Sequence, residues 1–272
     1  MTTPATVNYH IHKPERQAFE LDAGGIVGNL VSPELAATQV RVLDERTAKI
    51  DMTFDGTSVE FTAMHTDVDV LDDERTWRPV YEADIQRILK TKLDIEDVII
   101  FDHTVRIDDD RSNRKPARNV HSDYSIDGAQ QRLIDLLGEE QALQWAKGHY
   151  AFINVWRPVD EQINSSPLGF ILPDSVDEQD WILLDLIYPD RKGQILGLAA
   201  NPAHQWVYRS KMRPDEVAFF NIFDNQGLPS IAHSALDMIE NPAINTVRKS
   251  IESRTLVRYR DCQSSVTRPD YS

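Results

Sequence analysis

The chain has 272 residues, 41% of them hydrophobic, which is enough for one large domain or two small ones with a substantial core. Its formal net charge of −15 disfavours a nucleic-acid or anionic-membrane surface, because such surfaces need clustered basic residues. A single cysteine, Cys262, excludes an intramolecular disulfide, and no apolar run approaches the roughly 20 residues of a membrane-spanning helix. We therefore expect a cytoplasmic protein with neither a nucleic-acid nor a membrane partner.

The first third of the chain alternates between strand-like and helix-like patterns. Short runs of alternating polarity predict strands over 5–11, 40–46, 48–54 and 58–64. Between the first two, Ser32-Pro33 predicts the start of a short helix within 29–39. A longer helix is predicted over 76–93, where Val80, Ile85, Ile88 and Leu89 recur at helical spacing.

The rest of the chain reads mainly as strands. The apolar run 97–106 is followed by a polar loop over 107–118, and 128–148 predicts two helices broken near Gly138. Further strands are predicted over 150–159, 168–173, 181–189, 194–200, 205–210, 216–224, 231–238 and 248–259. Many short strands with flanking helices indicate a mainly β fold, a sandwich or jelly roll, and no glycine-rich dinucleotide motif supports a doubly wound sheet.

The stretch RNVHSDYS places a histidine and a carboxylate two positions apart, as His121 and Asp123. In a strand these side chains would point to one face, where they could bind a metal or simply form a turn at the end of the strand. A metal site therefore requires a third ligand from elsewhere in the chain.

His233 is the best third ligand among the eight histidines, because Arg248 and Ser250 follow it at a useful distance. Two histidines and one carboxylate form the facial triad of non-haem Fe(II) oxygenases. An Arg-x-Ser pair can bind a distal carboxylate through a guanidinium fork and a hydroxyl. His204, in the aromatic run HQWVY, is the rival third ligand and lacks such a pair downstream.

The ordered motifs FDHTVR, VHSDYS, FINVWRP, NIFDN, HSALD and VRKSIESR resemble one group of Fe(II)/2-oxoglutarate-dependent oxygenases. The group contains the fungal gibberellin desaturase, the AsaB-type hydroxylases and a cephalosporin 7α-methoxylase component, and the resemblance covers roughly residues 95–260. It implies a double-stranded β-helix, which is a cupin-like jelly roll, and Fe(II), 2-oxoglutarate and O2 as cofactor and cosubstrates. It also implies His121, Asp123 and His233 as iron ligands, with Arg248 and Ser250 holding 2-oxoglutarate.

Other residues are candidates for contacts with 2-oxoglutarate or the substrate. Asn154 could hydrogen-bond 2-oxoglutarate, and Asn221 stands where the family tends to have a different polar residue near the aspartate of NIFDN. Four further substrate candidates lie on two predicted strands: His103, Arg106, Trp156 and Arg157. For each, a structural role at a strand end or in the core is the alternative.

We expect one oxygenase domain over 1–260, with N-terminal strands and helices over 1–95, a catalytic core over 96–260 and a polar tail over 261–272. The expected reaction is hydroxylation of a small organic molecule in secondary metabolism, with 2-oxoglutarate converted to succinate and CO2. Desaturation by the same site is the alternative within the class. A non-catalytic cupin-like metal-binding protein and a metal-dependent hydrolase are alternatives outside it. The group also leaves a homodimer open.

Overall fold

The strands account for most of the regular structure in the computed structural model, which describes residues 2–20, 31–68, 71–190, 192–244 and 246–260. The predicted tail 261–272, including Cys262, lies outside the described residues. The strands are β1 (Thr2–His10), β2 (Gln17–Glu20), β3 (Leu35–Asp44), β4 (Val59–Ala63), β5 (Ile95–Ile107), β6 (His121–Ser122), β7 (Tyr150–Pro158), β8 (Leu168–Ile171), β9 (Trp181–Ile187), β10 (Lys192–Leu198), β11 (Trp206–Tyr208), β12 (Glu216–Asp224), β13 (His233–Ala235) and β14 (Lys249–Tyr259).

Over these residues the strands form two sheets. The larger has nine strands in the order β1-β3-β11-β8-β13-β6-β10-β9-β2, and the smaller has five in the order β4-β12-β7-β14-β5. Most neighbours are antiparallel, which suits sheets that each have one face on a common core. Side chains from both sheets meet in that core, including Phe152 and Phe220 from the smaller sheet and Phe170 and Val207 from the larger.

Five α-helices within the described ranges connect and cover the sheets: α1 (Glu45–Ala48), α2 (Phe54–Thr57), α3 (Glu74–Lys92), α4 (Ile126–Leu137) and α5 (Glu139–Trp145). The long helix α3 packs its buried side chains against the outer face of the smaller sheet, through Tyr81, Ile85 and Leu89. No helix in this part of the chain combines the length and apolarity needed to cross a bilayer.

The mainly β architecture with flanking helices is confirmed, and so are the long helix and the helix break near Gly138. The helix predicted within 29–39 is wrong where the structure describes it. Residues from Leu35 onward form β3, which pairs along the full length of β1 and so satisfies its backbone groups between strands.

The strand predicted over 48–54 is also wrong. That run connects two short helices: Lys49 ends α1 in the left-handed conformation, and the Thr53 hydroxyl accepts a hydrogen bond from the Gly56 N–H at the start of α2. Apolar and polar residues alternate in this run, but the run contains the end of α1 and the start of α2 and not a half-buried strand.

Candidate metal centre

Three metal-ligating side chains converge between the sheets: His121, Asp123 and His233. Their ligand atoms all lie within 4.8 Å of one another. Asp123 Oδ1 is 3.4 Å from His121 Nε2 and 4.0 Å from His233 Nε2. The pair and the third ligand predicted from the sequence therefore meet at one point.

The strand pairing explains how two histidines 112 positions apart come together. His121 in β6 lies directly opposite His233 in β13, and the imidazole centroids are 4.5 Å apart. Strand β6 ends at Ser122, so Asp123 belongs to the chain that leaves the sheet and not, as predicted, to a continuing strand. Its side chain nevertheless turns to the same side as the His121 imidazole.

Both imidazoles face the cluster through the same ring nitrogen. The Nδ1 of His121 lies 2.8 Å from the Asn119 carbonyl, and the Nδ1 of His233 lies 3.2 Å from the Ile231 carbonyl. A carbonyl only accepts hydrogen bonds, so each Nδ1 carries the proton and each Nε2 keeps its lone pair for a metal.

The electrostatics match this protonation. Burial, and then the neighbouring His121, lower the pKa of His233 to about 3. Burial alone would raise the pKa of Asp123, but the charge of the neighbouring Arg254 guanidinium opposes it, and that pKa lies well below its usual range. A neutral imidazole and an ionised carboxylate are the forms that bind a metal.

A second feature borders the cluster, a small pocket that contains the buried guanidinium of Arg248. The lining residues are Arg106, Ala117, His121, Trp156, Leu168, His233, Ala235, Arg248 and Glu252. Arg248 Nη2 donates to Ser250 Oγ at 3.2 Å, and the guanidinium lies over the Trp156 ring at 5.4 Å. Its Nε and Nη1 have no hydrogen-bond partner among the described residues.

Among the described residues, no carboxylate accepts a hydrogen bond from this buried guanidinium. Burial, with repulsion from Arg106, lowers the pKa of Arg248 to about 9, so it still carries its charge at neutral pH. Unpaired buried charges are costly, and a ligand carboxylate would supply the missing acceptors. The pocket therefore has the chemistry to bind an anion beside the metal cluster.

The structure separates the other predicted site residues by the face of the smaller sheet they occupy. Arg106 and Trp156 line the pocket, whereas Asn154 donates through Nδ2 to Asp123 Oδ2 at 2.9 Å. Asn154 thus contacts a ligand of the metal cluster rather than the pocket.

His103 and Arg157 point to the opposite face, toward α3. His103 lies 2.8 Å from Ser253 Oγ and 3.2 Å from Glu82 Oε1. Arg157 donates to the Val68 and Pro214 carbonyls. These contacts favour the structural alternative for both residues.

Two more candidates lie away from the cluster. The Asn221 side chain donates to the Leu228 and Pro229 carbonyls, which anchors the turn leading toward His233. His204 lies 3.1 Å from Asp180 Oδ2 and 2.9 Å from the Tyr9 hydroxyl, so both of its ring nitrogens are engaged far from Asp123. His204, the rival third ligand, therefore does not belong to this cluster.

The sequence analysis missed Arg254. Its Nε donates to Asp123 Oδ2 at 3.0 Å, and it also contacts Asp102 and Glu252. The signal was present, because Arg248, Ser250, Glu252 and Arg254 alternate along one strand and so share a face.

The donor set fits Fe(II). Two neutral imidazoles and one ionised carboxylate, with open space on the pocket side, form the arrangement that non-haem iron sites use. The unpaired guanidinium beside it fits the distal carboxylate of a dicarboxylic cosubstrate.

Comparison with known proteins agrees with this geometry. A family model described as an oxidoreductase/YMDC permease-like domain matches residues 8–258. A hydroxylase/desaturase, efuI of Hormonema carpetanum, is 30% identical over 96% of this chain and 85% of that protein. An Fe(II)/2-oxoglutarate-dependent dioxygenase, nvfI of Aspergillus novofumigatus, is 25% identical over 94% of this chain and 84% of that protein.

A solved structure shares the fold. The iron and alpha-ketoglutarate-dependent endoperoxidase NvfI superimposes with a TM-score of 0.80 at 20% identity, covering 95% of this chain and 98% of that one. The chain therefore belongs to the matched oxidoreductase family, and within it to the Fe(II)/2-oxoglutarate-dependent hydroxylases and desaturases that its motifs resemble.

Proposed function

We propose that the protein hydroxylates a small organic molecule of secondary metabolism at an Fe(II) centre held by His121, Asp123 and His233. The observation that carries the proposal is the convergence of these three ligands beside an arginine with two unpaired nitrogens. A metal site alone would fit several functions, whereas a metal site with a buried anion clamp fits an oxygenase that uses 2-oxoglutarate.

Each residue of the site has a distinct task. His121, Asp123 and His233 would hold Fe(II), and the pocket beside them would take the other reactants. Arg248 binds the distal carboxylate of 2-oxoglutarate through its free nitrogens, Ser250 orients that guanidinium, and Trp156 covers it from water. When bound together, Fe(II), 2-oxoglutarate and O2 supply an oxidant for a C–H bond, and 2-oxoglutarate leaves as succinate and CO2.

Hydroxylation balances as one C–H group, one 2-oxoglutarate and one O2 giving one C–OH group, succinate and CO2. Desaturation is the second candidate, because the printed names of efuI and of other relatives join hydroxylase with desaturase. A non-catalytic cupin-like protein or a hydrolase would have no use for an unpaired arginine at this position.

We propose further that the two sheets form the double-stranded β-helix of a single oxygenase domain over 1–260. Strands β1, β3 and β4 come from the first 95 residues and extend both sheets, which supports one domain rather than two. The net charge of −15 supports a small-molecule partner over a nucleic acid or an anionic membrane. Cytoplasmic location and a homodimer stay predictions from the sequence.

The test is an anaerobic titration of metal-free protein with Fe(II) and then 2-oxoglutarate. The weak visible charge-transfer band of the chelate should appear only when both are present. It should disappear in His233→Ala and persist in His204→Gln, which removes a buried histidine outside the cluster. Absence of the band in folded, iron-loaded parent protein would contradict the proposal.

A further inference from the structure

Two arginines, one just before β14 and one within it, differ in their hydrogen bonding. Arg248, just before the strand, leaves two nitrogens unpaired, whereas Arg254 uses all three of its nitrogens. Its Nε lies 3.0 Å from Asp123 Oδ2, its Nη1 lies 2.7 Å from Asp102 Oδ2, and its Nη2 lies 2.6 Å from Glu252 Oε1. Each nitrogen of Arg254 thus contacts a carboxylate, which indicates that this residue acts through the carboxylates that it holds.

We propose that Arg254 is a positioning residue for the metal centre, which turns Asp123 so that a single carboxylate oxygen is available to the metal. This inference rests on the proposed assignment of His121, Asp123 and His233 as iron ligands. The geometry separates the two oxygens of Asp123: Oδ2 accepts from Arg254 and from Asn154, while Oδ1 is the oxygen nearest both imidazoles.

The strand register gives this arrangement its rigidity. Strand β14 lies between β7 and β5, and Arg254 is paired with Asn154 on one side and with Asp102 on the other. The positions of its neighbours on β5, β7 and β14 itself are therefore fixed by the hydrogen-bonded pairing of the strands and not by a loop. Asp123, which has already left its own sheet, is held in place from the facing sheet.

The chemical consequence concerns the number of open coordination positions. A carboxylate that binds through both oxygens would occupy one position more and leave too few for 2-oxoglutarate and O2 together. Two donors on Oδ2 make that binding mode unfavourable, because both hydrogen bonds would have to be given up in a buried site. Arg254 and Asn154 thus preserve a free position at the metal.

The variants separate this role from a purely structural one. Arg254→Lys keeps the positive charge but loses the planar fork that reaches three carboxylates. Asn154→Leu removes the other donor to Oδ2 without leaving a buried charge unpaired, so it remains informative if Arg254→Lys fails to fold. Arg258→Met is the matched control: Arg258 lies on the same strand, pairs with Glu96 at 3.0 Å and does not contact Asp123.

The measurement is the affinity of folded, metal-free protein for Fe(II) by anaerobic calorimetry, with the absorption spectrum of the Co(II)-loaded protein as a report on coordination geometry. Partners that orient metal ligands typically contribute about 10–100-fold in metal affinity. We expect a loss in that range for Arg254→Lys, a smaller loss with an altered Co(II) spectrum for Asn154→Leu, and the parent's affinity and spectrum for Arg258→Met.

Parent-like affinity and spectrum in both Arg254→Lys and Asn154→Leu would overturn the positioning role while leaving the metal centre intact. A parent protein that binds neither Fe(II) nor Co(II) would instead overturn the proposed function, and the positioning role with it. An equal loss in Arg258→Met would mean that affinity follows general stability, which also contradicts the inference.

Discussion

At the scale of single residues, Arg248 is a buried cation with two nitrogens that have no hydrogen-bond partner among the described residues, and we expect a ligand to supply that partner. Replacing it by Met should weaken 2-oxoglutarate binding by about 30-fold or more, because removing one partner of a buried charge pair costs about 2–5 kcal/mol. Fe(II) binding should change little, since Arg248 does not contact the three metal ligands. Titration of the charge-transfer band with 2-oxoglutarate at saturating Fe(II) measures the first affinity, and anaerobic calorimetry with Fe(II) measures the second.

The adjacent Lys249 provides the control. Its ammonium pairs with Asp160 at the surface, 2.8 Å away, and points away from the pocket. Lys249→Met should keep the parent's requirement for 2-oxoglutarate. Unchanged 2-oxoglutarate affinity in Arg248→Met would remove this residue from the cosubstrate site.

Single site residues can be predicted from the sequence where two residues of suitable chemistry stand at a fixed spacing. His121 and Asp123, with Arg248 and Ser250, are pairs at a spacing of two and could be found by inspection. Arg254 could not be assigned a partner in that way, because its contact with Asp123 depends on which strand lies across the interior from β14. The sequence likewise indicates Asn154 as a contact of 2-oxoglutarate, whereas its side chain donates to Asp123 in the structure.

At the scale of elements, α3 covers the outer face of the smaller sheet through one stripe of buried side chains. Leu89 is fully buried there, whereas Val80, which the sequence placed on the same apolar side, is 44% exposed. Leu89→Ala should lower the free energy of unfolding by about 2–5 kcal/mol, while Val80→Ala should change it by about 0.5 kcal/mol or less. Urea unfolding of both variants checks this, and equal losses would contradict the packing of α3.

The helices and strands also show where local sequence signals no longer predict secondary structure. The helix 74–92 was predictable because its apolar spacing continues for five turns. The run 29–39 begins with a Ser-Pro helix signal, yet the described part joins β3 because a complete partner strand, β1, is available to it. Local propensity is a weak preference that such long-range pairing overrides.

At the scale of the whole molecule, buried histidines make stability depend on pH. Burial is the main cause that lowers the pKa of His10 to about 4, and its proximity to His121 adds to it. In the unfolded chain this pKa returns to about 6.5, so between these values the unfolded state binds more protons and stability rises with pH. The contribution is complete above about pH 6.5 and is lost as the pH falls toward 4.

Glu240 has the opposite sign, because burial raises its pKa to about 7 and its contribution is lost as the pH rises through that value. Because the two contributions oppose each other, the quantity to measure is the difference between parent and variant in the slope of unfolding free energy against pH. In metal-free protein, His10→Gln should reduce the slope of unfolding free energy against pH by up to about 1.4 kcal/mol per pH unit between pH 4.5 and 6. A parent-like slope in His10→Gln would contradict this account.

The path of Asp123 has a consequence for how the protein opens. This residue leaves the nine-stranded sheet directly after β6, yet its carboxylate is held by Arg254 and Asn154 of the five-stranded sheet. A metal bound to His121, Asp123 and His233 would tie that carboxylate to β6 and β13, and the hydrogen bonds from Arg254 and Asn154 would join the filled ligand set to the five-stranded sheet. Separating the sheets would then break hydrogen bonds to a fixed carboxylate, so amide hydrogens in β13 and in β14 should both become more protected from exchange with solvent when the metal binds.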